Sequence, residues 1–564
     1  MILPAPTRDI LFTWGAPMPT ELKPRDVLNL YAPHGDTIPS LLASRRAHGP
    51  DRPVLLFEGR TWSYARIDDA SSHLARALVL RGIRKGDRVG LVSLNSDVAL
   101  LVFLATVKAG GVFVPMNPGL TDTELTYILK HSRPTVVASQ TADLERVERI
   151  TGGFDEVPWL LPLDEIGAAA QSVDGVAAAV ERYAGGNGAI DLPEVLPDDP
   201  AVVIYTSGTT GFPKGVVHSQ KNYVWAGEAF VERMHLQPTD RLLTVLPFFH
   251  INALFYSWGG ALAAGAAMVT TPRFSASRLW TLAAETGATV FNILAALGNI
   301  LANRPRSEFD PNHRIAKIYG GPISAEMMRV FQQDFHVPTL IEGYGMSEIP
   351  GACNNPFEGP HKVGSIGRPA RHPRFDDTFV ELRIVDDEGR DVPVGEMGEL
   401  LVKTPIMALH YLDDPEQTRA AMRDGWFSTG DYVRRDGDGY YYFVARKRDI
   451  IRRRGENISG AELDRILSEH PGILEAATIG VPSELGEEDI MAVLVPRTDP
   501  PPAEAILEWC NGRMAAMKIP RFVVFVNALP HTSSHRVEKY RLKQDPSLLA
   551  RAFDRERRAS ASAL

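Results

Sequence analysis

The 564-residue chain carries 60 Lys and Arg against 69 Asp and Glu, a formal net charge of −9. That balance excludes the basic surplus of a typical nucleic-acid binder. Two cysteines, Cys353 and Cys510, exclude a disulfide framework and a cysteine-built zinc site. At roughly 100–200 residues per domain, the length predicts three to five structural units. A hydrophobic content of 44% and a charged content of 23% are those of an ordinary globular protein. No run of about 18 apolar residues occurs, so no membrane-spanning helix is expected. The opening MILPAPTRDILFTWG lacks the layout of a signal peptide. With so few cysteines, this predicts a reducing, cytoplasmic setting.

After a Pro-rich, irregular start, Arg88–Ser96 reads as a strand and DVALLVFLATVKAGG as a helix. FVPMNP, the helical TDTELTYILKHSRP and the strand-like TVVASQ follow. This βαβαβ alternation predicts a parallel, helix-covered sheet. The Ala- and Gly-rich Gly167–Gly188 predicts a helix and a loose connection. A second α/β run extends from Ala201 to Ile341, with strands AVVIYTS, RLLTVLPF, AAMVTTP, ATVFNIL, KIYGGP and TLIEGYG. Within it, Gly259–Val269 is apolar but short and reads as a buried helix or strand. Gly364–Val444 is β-rich. After the basic RKRDIIRRRGENIS comes a compact α+β unit. The predicted fold class is α/β. Residues 1–445 form a large N-terminal region of two βαβ-type subdomains plus a β-rich subdomain. Residues 446–450 form a hinge, and 451–564 a small mobile α+β C-terminal domain.

The string YTSGTTGFPKGV, Tyr205–Val216, carries the clearest chemistry. Small residues let the backbone bend and aim N–H groups inward, Ser and Thr add hydroxyls, and Lys214 adds a cation. That is a phosphate cradle by composition, although the spacing is not GxxxxGK[ST]. The string resembles the phosphate loop of the adenylate-forming superfamily: acyl-CoA synthetases, peptide-synthetase adenylation domains and luciferases. Further motifs follow in the family's order: LPFFH (Leu246–His250), YGGP (Tyr319–Pro322), YGMSE (Tyr344–Glu348), STGD (Ser428–Asp431) and ARKRDIIRRRGENIS. The resemblance spans the chain from about residue 40 to 545.

The resemblance implies an acid–thiol ligase of the acyl-CoA synthetase kind. Its cofactors are ATP or acyl-AMP, Mg2+ and coenzyme A. Thr206, Ser207, Gly208, Thr209, Thr210 and Lys214 would hold phosphates. Gly320, Tyr344, Gly345 and Ser347 would border the nucleotide. Asp431 would accept two ribose hydroxyls, with Arg446 supporting that side. Glu348 would be the catalytic metal ligand, a hard oxygen for Mg2+. His250, Asn252, Ala295, Gly321 and Met346 would line the acyl pocket, with small residues leaving room for a bulky group. Arg448 matches the hinge about which the small domain turns between an adenylating and a thioester-forming pose. Gly455 matches the glycine whose bare backbone faces the pantetheine passage.

The segment ALPHTSSHRVEKYRLK, Ala528–Lys543, resembles the family's PxTxxGKVxK arm. Pro530, Thr532, Val537 and Lys539 match, but the catalytic lysine falls on Arg536 and the glycine before it on His535. Lysine is a compact ammonium, arginine a broad planar fork. The thioester half-reaction does not use this residue, so only the adenylation tool is altered. Two expectations stand side by side: a complete acyl-CoA ligase that tolerates Arg536, and a ligase that only thioesterifies acyl-AMP supplied by a separate adenylating enzyme. Other classes stay open: a free-standing adenylation domain loading a carrier protein, a luciferase-like oxidase and a binding-only relic. The expected partners are a small carboxylic acid or its adenylate and CoA, without nucleic acid or membrane, in a possible homodimer. HINALFYSWG contains no Asp or Glu, which weighs against an α-amino acid substrate.

Overall fold

The computed structural model describes residues 21–184, 190–206, 213–376, 378–453, 456–483, 488–531 and 537–556. Two large sheets form the N-terminal region. One has seven strands in the order His410–Tyr411, Lys214–Ser219, Pro200–Thr206, Val112–Met116, Arg88–Val92, Val136–Ser139 and Trp159–Pro162. The last five run parallel, and the first two are antiparallel additions at one edge. The other has nine strands. Thr339–Tyr344, Lys317–Gly320, Val290–Asn292, Arg241–Thr244, Ala267–Thr270 and Pro53–Phe57 are parallel at its centre.

The helix Asp97–Lys108 is buried along its whole length, which explains its apolar sequence on every face. It packs against strands of both sheets. Ser96 caps it by accepting from the Ala99 N–H at 3.0 Å. Asp97, fully buried, accepts from Arg60 through both oxygens at 2.9 Å and from the Trp62 indole at 2.9 Å.

A division of the α/β strands at Ala201 is not what forms. Pro200–Thr206 and Lys214–Ser219 complete the sheet of the first run, while Pro53–Phe57 and Arg60–Ser63 join the second. All these strands are short apolar runs, and chain order does not choose among equally apolar partners. Gly259–Val269 is both helix and strand: Gly259–Ala264 is helical and Ala267–Thr270 extended. Gly265 separates them at φ +66°, where a Cβ would fall 2.0 Å from the Tyr31 hydroxyl. Gly167–Gly188 holds the end of one helix, Leu163–Ala169, and a second, Val173–Ala184.

The β-rich part is an antiparallel sheet of Glu381–Val385, Met397–Lys403, Trp426–Arg435, Met422–Arg423 and Tyr441–Arg446. One 3-10 turn, Lys447–Asp449, leads from it to the C-terminal domain. Lys447 is held there by Glu399 at 2.9 Å and Asp387 at 3.0 Å. In the C-terminal domain, helices Gly460–Ser468 and Ala503–Cys510 accompany a four-stranded sheet. The ends of the 528–543 arm are tied down. His531 bridges Val537, the Glu538 N–H donates to the Pro530 carbonyl at 2.8 Å, and Lys539 pairs with Asp464 at 2.5 Å. Among the described residues no helix is long and apolar enough to cross a membrane.

Candidate active site

The phosphate-loop string connects two antiparallel strands, and Thr206 and Lys214 are their last register pair. Ser207, Gly208, Thr209 and Thr210 lie outside the described residues. Beyond the hairpin edge, Tyr411 pairs with Val216. The Lys214 ammonium stands 5.5 Å from the centre of the Tyr411 ring, within cation–π range. The Tyr411 hydroxyl donates to Glu348 Oε1 at 2.7 Å. Burial, and then the Glu348 charge, hold that phenol above its usual range, so it remains a donor. A cation, a phenol and a buried carboxylate thus stand together where the loop begins and ends.

Glu348 is placed by the turn after Thr339–Tyr344. The Ser347 carbonyl accepts from His218 Nε2 at 2.7 Å, which fixes the neutral ring with its proton on that nitrogen. His218 belongs to the strand that Lys214 starts, so one hydrogen bond ties the Glu348 turn to that strand. Met346 and Ile349 close the turn through paired backbone bonds at 3.3 and 3.2 Å. Gly345 is required here because a Cβ would stand 2.5 Å from the Gly351 nitrogen.

Asp431 sits in the strand Trp426–Arg435, directly opposite Arg446 in the antiparallel register. Its carboxylate is fully buried. Oδ2 accepts from the Tyr344 hydroxyl at 2.6 Å, and Oδ1 forms an ion pair with Arg446 Nε at 2.8 Å. A carboxylate has about four lone-pair sites, and Tyr344 and Arg446 each hold one of its oxygens. Arg446 is therefore committed first to Asp431. Just before Asp431, Gly430 adopts φ +65° and its N–H points to Glu399 Oε1 at 3.3 Å.

On the acyl side, His250 and Asn252 are half-buried at the start of the π-helical turn Asn252–Trp258. Such turns recur at functional sites. Asn252 accepts from Asn292 at 2.8 Å. Ala295 opens the helix Ala295–Ala302. The glycines are explained by close packing: a Cβ on Gly320 would stand 2.7 Å from the Ile293 carbonyl oxygen, and one on Gly321 2.8 Å from that of Gly343. Arg448 lies in the 3-10 turn Lys447–Asp449, where the sequence predicts a hinge. Gly455 and Arg536 lie outside the described residues.

Sequence reading missed Tyr411, His218, Glu342 and Asn292. Tyr411 gave no local signal. The other three did, as polar residues inside apolar strands. Glu342 pairs in register with Gly320, is buried, and its Oε2 has no hydrogen-bond partner among the described residues.

Two of these groups give opposite pH signatures. Burial pushes the Glu342 carboxyl up to about 7, the Ile323 N–H opposing it. Folded Glu342 binds its proton more tightly than an unfolded glutamate. Its contribution is complete below pH 4.5 and is lost as pH rises to about 7. Burial pushes His218 down to about 4, against the Ser347 carbonyl. Its contribution is complete above pH 6.5 and is lost as pH falls toward 4. Glu342→Gln is expected to raise the melting temperature at pH 8 and leave it nearly unchanged at pH 5, a differential of up to about 3 kcal/mol. Melting curves of variant and parent that stay parallel from pH 5 to 8 would refute this.

Comparison with known proteins shows the chain's family. A family model described as AMP-binding enzyme matches residues 42–412, and one described as AMP-binding enzyme C-terminal domain matches 462–536. The chain is 33% identical to a sulfoacetate–CoA ligase of Cupriavidus necator, over 90% of this chain and 97% of that protein. It is 32% identical to an indoleacetate–CoA ligase of Aromatoleum aromaticum, over 88% and 95%. The crystal structure of ATP-bound MatB from Rhodopseudomonas palustris superposes with a TM-score of 0.78 at 28% identity, covering 90% of this chain and 98% of that one.

Proposed function

Because the chain belongs to the AMP-binding enzymes, and among them to the acyl-CoA ligase type, we propose that it makes an acyl-CoA thioester in two steps, with Arg536 slowing the first. It is an acyl-CoA synthetase-like enzyme, and ATP, CoA and a carboxylic acid are its reactants. In the first step the carboxylate oxygen attacks the α-phosphorus of ATP and pyrophosphate leaves. In the second the CoA thiol loses its proton, its sulfur attacks the acyl carbonyl and AMP leaves.

The observation that carries this reading is Asp431, a fully buried carboxylate held between Tyr344 and Arg446. It holds the ribose of ATP, acyl-AMP and AMP alike. Lys214, with Thr206 and the loop Ser207–Thr210, holds the phosphates. Glu348 would hold Mg2+, a hard cation that needs as few as one protein carboxylate. Bound there, the ion neutralises phosphate charge. Tyr411 and His218 keep the Glu348 carboxylate and its turn in position. Gly455 leaves the thiol passage open, and Arg448 turns the small domain between steps. Arg536 offers the adenylating site its charge in a broader shape than lysine would.

Arg536 also supports a second reading, in which the first step is lost and a separate enzyme supplies acyl-AMP. The proposal is tested with ATP, CoA and a panel of acids taken from the relatives: sulfoacetate, indoleacetate, oxalate, crotonobetaine and long-chain fatty acids. Stoichiometric AMP and thioester are expected with at least one acid. Release of ADP in place of AMP would sink it.

A further inference from the structure

Asn292 ends the strand Val290–Asn292 and is 1% exposed. Its Nδ2 donates to Asn252 Oδ1 at 2.8 Å and to Ser257 Oγ at 3.1 Å. Both acceptors lie on the π-helical turn Asn252–Trp258. Its Oδ1 is buried and has no hydrogen-bond partner among the described residues. The neighbouring strand pairs Leu242 with Val290 and Leu243 with Phe291, so Thr244 comes next beside Asn292. Thr244 Oγ1 is also buried without a partner among the described residues. The surroundings are apolar: Leu243, Leu254, Phe255 and Ile293 belong to the main core. A buried polar atom left unpaired costs about 1–3 kcal/mol. Two of them on neighbouring strands call for an occupant.

The cluster is continuous with the surface assigned to the acyl group. Asn252, its half-buried member, follows His250 by two residues, and Ala295 follows Asn292 by three. The chemistry of the occupant follows from the atoms. Exchanging O and N of the Asn292 amide would present an N–H in place of the carbonyl oxygen. A hydroxyl group satisfies either assignment, because it both donates and accepts, and it also suits the Thr244 hydroxyl.

We propose that Asn252, Asn292 and Ser257, with Thr244 beside them, form a polar floor to the acyl pocket, and that the acid activated carries a hydroxyl group that reaches it. This rests on the acyl-CoA ligase reading and narrows its substrate class. A floor built to bond a hydroxyl rejects the analogue that lacks it far more strongly than an apolar pocket rejects an added hydroxyl.

The experiment compares kcat/KM for thioester formation on isosteric pairs: para-hydroxybenzoate against para-methylbenzoate, and omega-hydroxyhexanoate against heptanoate. The parent is expected to favour the hydroxy acid by about tenfold or more in at least one pair. Asn292→Leu and the half-buried Asn252→Leu should each erase that preference and raise kcat/KM for the methyl partner. An ATP-induced rise in melting temperature checks that each variant is folded, and Asn252→Leu serves if Asn292→Leu does not fold. Equal or better use of the methyl acids by the parent overturns the hydroxyl assignment and places a buried water on the floor, with the ligase reading intact. Thioester from the preformed adenylates but not from the acids would carry the same comparison over to the adenylates, and thioester from neither would remove the ligase reading, and the inference with it.

Discussion

Asp431→Ala is expected to lower both half-reactions by about a hundredfold to ten-thousandfold. Hydrogen bonds to a charged group contribute about 1.5–3 kcal/mol each, and two ribose hydroxyls are lost together. The same change leaves the Arg446 guanidinium without its 2.8 Å partner and the Tyr344 hydroxyl without its 2.6 Å acceptor. Removing one member of a buried pair destabilises by about 3–5 kcal/mol. Arg446 is 27% exposed along its side chain, which places the cost toward the lower end. Asp431→Asn keeps the shape and loses the charge, so it should fall between alanine and the parent. ATP binding read by calorimetry, beside a thermal melt, separates affinity from stability. A variant that melts lower but binds ATP as the parent does would show that Asp431 serves only the fold.

Arg536→Lys is expected to speed ATP–pyrophosphate exchange by about tenfold to a hundredfold, the range that a misplacement of about 1 Å can cost. It should leave thioester formation from preformed acyl-AMP unchanged, because on the proposed reading only adenylation uses the residue. A structural role for Arg536 would move both rates or neither. The base of the arm is held by residues other than Arg536: Glu538 to Pro530, Lys539 to Asp464 and His531 to Glu475.

The chain shows where sequence reading succeeds and where it stops. Contiguous apolar runs such as Val136–Ser139 and Val290–Asn292 were readable as strands because strands buried on both faces need no alternation. Thr206 and Lys214 could be read together because one short loop joins them. Asp431 and Arg446 were readable as separate motifs, but not as partners, since the register of a bulged pair is not written locally. Tyr411 and Glu348, 63 residues apart, meet only through the sheet edge that brings Tyr411 beside Val216. Asn252 and Asn292, 40 residues apart, meet only because a π-helical turn packs on the end of a parallel strand. Gly321 suggested room for a bulky acyl group, and Gly320 a border for the nucleotide. Their neighbours are backbone carbonyls at Ile293 and Gly343, so close strand packing accounts for them.

The most direct measurement runs the two half-reactions of the parent protein side by side. One arm follows ATP–pyrophosphate exchange over a panel of acids. The other supplies the corresponding preformed acyl-adenylates with CoA and follows thioester. Thioesterification at least about tenfold faster than exchange is the predicted result, with Arg536→Lys narrowing the gap. Exchange as fast as thioesterification, and no faster with lysine at 536, would contradict the account, because Arg536 would then do the lysine's work without loss.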